Sequence, residues 1–280
     1  MVNPVVNIEY WPFDQPLPRG ILPPPHAARL EPPDVPNYAW VEYGLRCGMP
    51  RLFDVMRRRG IRATAFFNAQ CADVYPSLAR ATIDAAWELV GHGWFQRSLK
   101  QIQDERAEVS RCLARLEQLS GKKVRGWFGA GGGESLHTPE VLKLCGIEFT
   151  HDWVVDDLPC WMTTALGPLL CLPYTWELND VPIWAVQGQS SDELLKRLQA
   201  TLAALEPELE RQPRVVTLAM HPHIVGVPHR IHYLEKAFDL LARRADTVFV
   251  TSSEIADWFI AADKTGLGEL AAAVKARAAG

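Results

Sequence analysis

Short apolar runs alternate with stretches of helical period along most of the chain. Val5–Ile8, 63–67, Leu89-Val90-Gly91 and 124–128 read as strands, and so do 147–153, 182–186, 215–220 and 247–250. Between them, 52–59, 78–87, 98–119, 191–205, 231–242 and 254–259 read as helices. Ser98 is the expected cap of the longest, which has the apolar stripe Ile102, Val109, Cys112, Leu113, Leu116 and a closing Gly121. Thr138-Pro139 reads as the start of another short helix. The run 215–220 is apolar throughout, as in a strand buried on both faces of a parallel sheet. Strand–helix alternation of this kind predicts a parallel α/β sheet or barrel with helices outside. Nine prolines between Pro12 and Pro36 predict a long irregular loop. The expected organisation is one domain over 1–262 followed by a helical tail over 263–280.

Composition narrows the function classes. Of 280 residues, 48% are hydrophobic, enough for a large core, and the net charge is −4 without any basic run. Nucleic acid is therefore not an expected partner. The first residues lack the charged and apolar regions of a signal peptide, and no apolar run reaches the roughly 20 residues that span a bilayer. The expectation is a cytoplasmic protein with no membrane contact, whose six scattered cysteines are reduced and buried.

In parallel α/β proteins, chemistry gathers at the C-terminal ends of strands. Glu9, His92, Asp152 and His221 all stand at such ends. His221, between an apolar strand and Pro222, is placed to donate a proton near neutral pH. Glu9 is the candidate base that activates water, and Asp152 the carboxylate that orients a partner. Arg46, in Glu42-Tyr43-Gly44-Leu45-Arg46-Cys47-Gly48, could grip a carbonyl oxygen or simply pair with Glu42. The glycines of 126–133 lack a phosphate-binding frame, but their amides could hold an oxyanion. Asp156 and Asp157 form an acidic group near Trp153 and Trp161.

Several of these segments, in this order, resemble the polysaccharide-deacetylase superfamily, and most its allantoinase-like branch. They are Val6-Asn7-Ile8-Glu9, Glu42-Tyr43-Gly44 with Arg46 and Gly48, Gly91-His92-Gly93-Trp94, Gly126-Trp127-Phe128, Asp156-Asp157-Leu158-Pro159 with Trp161, and the strand ending in His221. The resemblance implies a distorted (β/α) barrel of about seven strands and hydrolysis of a C–N bond. It also marks three metal-ligand positions, of which only His92 is retained: Tyr10 stands where an aspartate is usual and Gln96 where a second histidine is. No cofactor is expected on that pattern, the alternative being an irregular zinc or other divalent site around His92. The expected substrate is a small cyclic amide, ureide or imide, bound among Glu42, Arg46, His92, Trp94, Trp127, Asp156, Asp157 and Trp161, with the proline-rich loop as a lid. Two rivals are a metal-dependent N-deacetylase of acetylated saccharides and an inactive ligand-binding protein on the same scaffold. The branch's habit implies a homo-oligomer.

Overall fold

The computed structural model describes residues 1–20, 32–264, 266 and 268. Eight strands form one curled sheet: β1 (Val2–Ile8), β2 (Thr64–Phe67), β3 (Glu88–Gly91), β4 (Gly126–Trp127), β5 (Phe149–Thr150), β6 (Cys160–Thr164), β7 (Gly167–Cys171) and β8 (Val216–Met220). Their order is β6-β7-β5-β4-β3-β2-β1-β8, parallel throughout except for the antiparallel β6–β7 hairpin at one edge. After β7 the chain swings back to β8. Thr217 donates to the Pro173 carbonyl at 2.9 Å, and Asn179 bridges to Ala219. The segment after β7 thus lies along the β8 edge, and the sheet curls into a half-barrel.

Nine helices among the described residues surround the sheet: α1 (Val35–Tyr43), α2 (Met49–Arg57), α3 (Cys71–Val74), α4 (Pro76–Asp84), α5 (Glu105–Ser120), α6 (Thr138–Leu144), α7 (Glu193–Leu209), α8 (Pro228–Ala242) and α9 (Ser252–Ala262). None is long and apolar enough to cross a membrane. Helix α5 begins later than its apolar stripe suggests. Leu99–Gln101 is a separate 3₁₀ turn, and the Asp104 carboxylate, not Ser98, accepts from the Ala107 amide at 2.9 Å. Its buried residues are Val109, Cys112, Leu113 and Leu116, as the periodicity predicts. Helix α9 is entered through a Thr251/Glu254 capping box.

Other boundaries differ for identifiable reasons. The 182–186 run, expected as a strand, lies in a π-helix over Val181–Val186. A short run of β-branched and aromatic residues does not distinguish a buried helical turn from a strand. The 247–250 run makes only one bridge, Phe249 to Val2. The β6–β7 hairpin has no period-2 burial to announce it, since β6 is half-exposed along most of its length. The expected tail over 263–280 falls mostly outside the described residues. All six cysteines are free; Cys71, Cys112 and Cys171 are buried.

Side-chain parity sets the interior. Val5, Phe66, Val90 and Ala219 belong to an apolar cluster inside the barrel, whereas Val6, Phe67, Leu89, Leu218 and Met220 belong to the larger layer between sheet and helices. Successive strand residues face opposite sides. Continuing by two from Val5 therefore places Asn7 and Glu9 inward, from Val90 places His92 inward, and from Ala219 places His221 inward.

Candidate active site

These three strand ends converge. Glu9 is 2% exposed, and its Oε1 lies 3.4 Å from His221 Nε2 and 3.7 Å from His92 Nε2. Gln96 Nε2 donates to the same oxygen at 2.8 Å, and Trp11 Nε1 donates to Oε2 at 2.8 Å. Burial pushes the Glu9 carboxyl up, but the charge of His221 and the donors around it outweigh burial and hold it well below the ordinary value. Glu9 is therefore a carboxylate.

His221 is fixed by a residue that the sequence reading left out. Asp180, fully buried, accepts from the His221 backbone N–H with one oxygen and from Nδ1 with the other, both at 2.6 Å. Burial presses His221 toward the neutral form. The charges of Asp180 and Glu9 overcome that and raise it to about 9. His221 is thus a protonated acid at neutral pH, with Nε2 aimed at Glu9. Asp180 sits just before the π-helix, and an aspartate two residues ahead of Pro182 is a helix-start signal; reading 182–186 as a strand hid it.

His92 is oriented from the other side. Its Nδ1 is 2.6 Å from the Phe128 carbonyl, which can only accept, so Nδ1 carries a proton. His92 Nε2 and the Gln96 amide oxygen have no hydrogen-bond partner among the described residues. Around these groups lies a chamber of about 30 Å³ whose lining includes Asn7, Phe128, Tyr174 and Trp176. Its volume is about one water's share of the liquid. A wider vestibule of about 420 Å³ adjoins it, lined by Pro12, Gln15–Arg19, Phe95–Ser98 and Gly131. The start of the proline-rich segment therefore borders the entrance. The rest of the expected lid, 21–31, lies outside the described residues.

The remaining expected site residues lie elsewhere. Asp152 has the wrong parity: Phe149 lies in the inner cluster, and two residues on His151 is buried against Tyr174, so Asp152 turns aside. It accepts from the Gly129 amide at 2.7 Å and from Thr150 Oγ1 at 3.0 Å. Glu42 bonds the Tyr75 hydroxyl, and Arg46 is exposed. The glycines around Arg46 have a packing role. A Cβ on Gly44 would meet His223 N at 2.4 Å, and one on Gly48 would meet Pro222 O at 2.1 Å. The π-helix over Gly44–Gly48 is thereby seated against the loop that carries His221.

The tryptophans divide similarly. Trp94 carries the Arg111 guanidinium over its ring at 3.5 Å, and Trp127 is core. Trp161 donates to Asp263 at 3.0 Å. Asp156 closes a turn onto the Leu158 amide, and the Asp157 carbonyl accepts from Val215. Val215 precedes β8 while His221 follows it, so this group occupies the opposite rim, roughly 20 Å away at 3.3–3.4 Å per residue.

The fit to a metal can be tested on the donors present. Zinc takes imidazole, thiolate or carboxylate. Here Gln96 offers an amide oxygen, and the Tyr10 ring packs against Tyr75, 6.1 Å between centroids. Among the described residues no group of three His, Cys, Asp or Glu is arranged to hold an ion. The donor set does not match the metal pattern of the family that the motifs resemble.

Comparison with known proteins agrees with the motifs. Residues 36–150 match the family model of polysaccharide deacetylase. The chain is 25% identical over 236 residues to a Schizosaccharomyces pombe protein assigned to the polysaccharide deacetylases, covering 77% of this chain and 73% of that one. A Pseudomonas aeruginosa PAO1 structure assigned to the same group superposes with a TM-score of 0.83 at 23% identity, covering 94% of this chain and 91% of the other. An allantoinase structure superposes with a TM-score of 0.84 at 23% identity, covering 94% and 90%. The 36–150 segment is thus similar in sequence to the polysaccharide deacetylases, and the chain shares the fold of both superposed structures over most of its length.

Proposed function

We propose that the protein hydrolyses a C–N bond in a small cyclic amide, ureide or imide. The observation that carries this reading is the Glu9–His221–Asp180 arrangement: a carboxylate and a protonated imidazole face each other across 3.4 Å in a narrow chamber. That is the state a hydrolase needs before water attacks, with the base unprotonated and the acid protonated. A substrate carbonyl entering the chamber separates the pair. Glu9 loses its cationic neighbour and becomes a stronger base toward water, while His221 lies within reach of the nitrogen that must leave. The chamber has room for little beyond the attacked carbonyl, and the vestibule of about 420 Å³ beside it can take the rest of a small ring. The narrow chamber favours a small substrate over a polymer.

The test is an assay of chelator-treated protein on allantoin, hydantoins, dihydropyrimidines and succinimides, beside N-acetylated sugars. Turnover of a cyclic substrate that survives the chelator is the expected result. Activity confined to acetylated sugars and restored by zinc would overturn the reading.

A further inference from the structure

Attack on a carbonyl puts negative charge on its oxygen, and most of the groups first considered for holding that charge are engaged elsewhere; of the glycine cluster, only Gly131 both lines the chamber and keeps its amide without a hydrogen bond among the described residues. Arg46 is exposed on its π-helix. Among the amides of the glycine cluster, Gly129 donates to Asp152, Gly132 to the Gly129 carbonyl and Gly133 to the Ala130 carbonyl. The donors for a metal are incomplete, and His221 is engaged as the acid. One cation remains at the chamber.

Arg19, on the proline-rich segment, lines both the chamber and the vestibule. Its Nε and Nη2 atoms are buried and have no hydrogen-bond partner among the described residues. No carboxylate among those residues lies within 4.0 Å of it. Its guanidinium sits 5.7 Å from the centre of the Trp11 ring, whose Nε1 holds Glu9 Oε2. The arginine and the proposed base are therefore linked through one side chain. Leaving buried charged donors unmatched is costly, and an incoming anion removes that cost. Nε and Nη2 form one edge of a planar fork whose spacing suits the two oxygens of a carboxylate.

We propose that Arg19 is a catalytic residue. Its Nε–Nη2 edge takes the oxyanion formed on the attacked carbonyl and then the carboxylate produced from it. The ligand class is accordingly a small carbonyl compound whose opening leaves a carboxylate. This rests on the C–N hydrolase reading above. In the first step the water oxygen bonds to the carbonyl carbon, Glu9 takes one water proton, and the carbonyl π pair moves to oxygen beside Arg19. In the second step the C–N bond breaks as the oxyanion reforms its double bond, and the nitrogen takes the His221 proton. The acid product releases its proton to solvent, and the proton on Glu9 passes to His221, restoring both groups.

The experiment compares wild type, Arg19→Gln, Arg19→Lys and Arg19→Ala in turnover of hydantoin or succinimide, and in calorimetric binding of the opened products hydantoate and succinamate. Loss of one oxyanion donor lowers kcat by about 10²–10³-fold. Arg19→Gln is expected to show a fall of that order, mainly in kcat, with at least about tenfold weaker carboxylate binding and ring binding nearly unchanged. Arg19→Lys keeps part of both, and millimolar guanidinium restores part of the turnover of Arg19→Ala. The Tm of Arg19→Gln is expected to equal or exceed that of wild type, since no hydrogen bond within the described residues is removed; a residue with a purely structural role would lower it. Wild-type kcat together with wild-type carboxylate affinity in Arg19→Gln would overturn the assignment and leave the hydrolase reading standing. If wild type turns over none of the cyclic substrates but carboxylate binding depends on Arg19, the hydrolase reading fails and the anion site stands.

Discussion

Two buried acidic clusters lie on either side of the 129–133 glycine turn, and they titrate in opposite directions. At the first, Glu9 and Asp180 enclose His221, so each carboxylate has a cation to face, and Glu9 is held well below the ordinary carboxylate range. At the second, Glu134 lies beside Asp152. Both are pushed up by burial, and Glu134 further by the charge of Asp152. Low exposure alone thus says nothing about the role of a carboxylate; the sign of its nearest charge decides. The first cluster holds separated charges ready for acid–base work. The second holds a proton and is met by hydrogen-bond donors: Trp153 Nε1 at 2.7 Å from Glu134, and the Gly129 amide and Thr150 hydroxyl on Asp152.

The largest way to break this contrast is Glu9→Gln, which keeps the size and removes the base. Loss of a general base costs about 10²–10⁴-fold, and turnover of whichever cyclic substrate proves active is expected to fall within that range while the protein stays folded. Retention of activity would transfer the base role elsewhere. Asp180→Asn comes next. It keeps the size but turns one of the two accepting oxygens into an NH2 donor and removes the charge that holds the proton on His221, so the kcat/KM profile should lose its alkaline side earlier. In wild type that limb is expected near pH 9, where His221 gives up its proton. The stability linkage has the same sign. Because the folded value lies above the ordinary 6.5, the contribution of His221 is complete below pH 6.5 and is lost as pH rises through about 9. Glu9 works in reverse: its contribution is present above 4.5 and is lost as pH falls through its lower folded value. A kcat/KM profile of Asp180→Asn that overlays wild type would remove Asp180 from the acid's control.

How much of this was readable depends on where the information resides. Glu9, His92 and His221 follow from local pattern, because each extends an inward-facing strand position by two residues. Asp152 breaks the same rule by one residue, and the difference becomes visible only when β5 is seen to end at Thr150. Asp180 was hidden by a run that suits a strand by composition yet forms a π-helix, where long-range contact with β8 decides the conformation. Arg19 could not be found from spacing at all. Its segment has no period, and only the return of the loop past Trp11 places it at the chamber. The Gly44 and Gly48 pair was visible as glycines; the reason for them, close packing on 222–223, is a property of the tertiary contact.

That contact provides a smaller test of the first cluster. Gly48→Ala would place a methyl 2.1 Å from the Pro222 carbonyl, where backbone must move. Overpacking of this kind costs about 1–3 kcal/mol, so a lowered Tm is expected, with turnover reduced because the displaced loop begins at His221. Arg46→Ala, two residues away and exposed, is the control and should change neither. Equal effects from both variants would mean that the segment acts through its charge and not through its close approach.

The smallest effect belongs to the second cluster and has the opposite sign. Glu134 is held above its ordinary range in the folded protein, so its contribution to stability is complete at pH values below that range and is lost as pH rises through the folded value. Ionising it would place a second negative charge beside Asp152 with no cation among the hydrogen bonds and ion pairs of either residue in the described structure. Glu134→Gln keeps an oxygen for Trp153 Nε1 and removes the ionisation altogether. The variant is therefore expected to gain on wild type as pH rises from 5 to 9, by on the order of 1 kcal/mol, with turnover unaffected. Thermal melts of the two proteins across that pH range read it directly. Curves that stay parallel would mean that Glu134 ionises normally and that water or a bound cation relieves the pair. Curves that diverge upward with pH would establish that Glu134 is held protonated beside Asp152 in the folded protein.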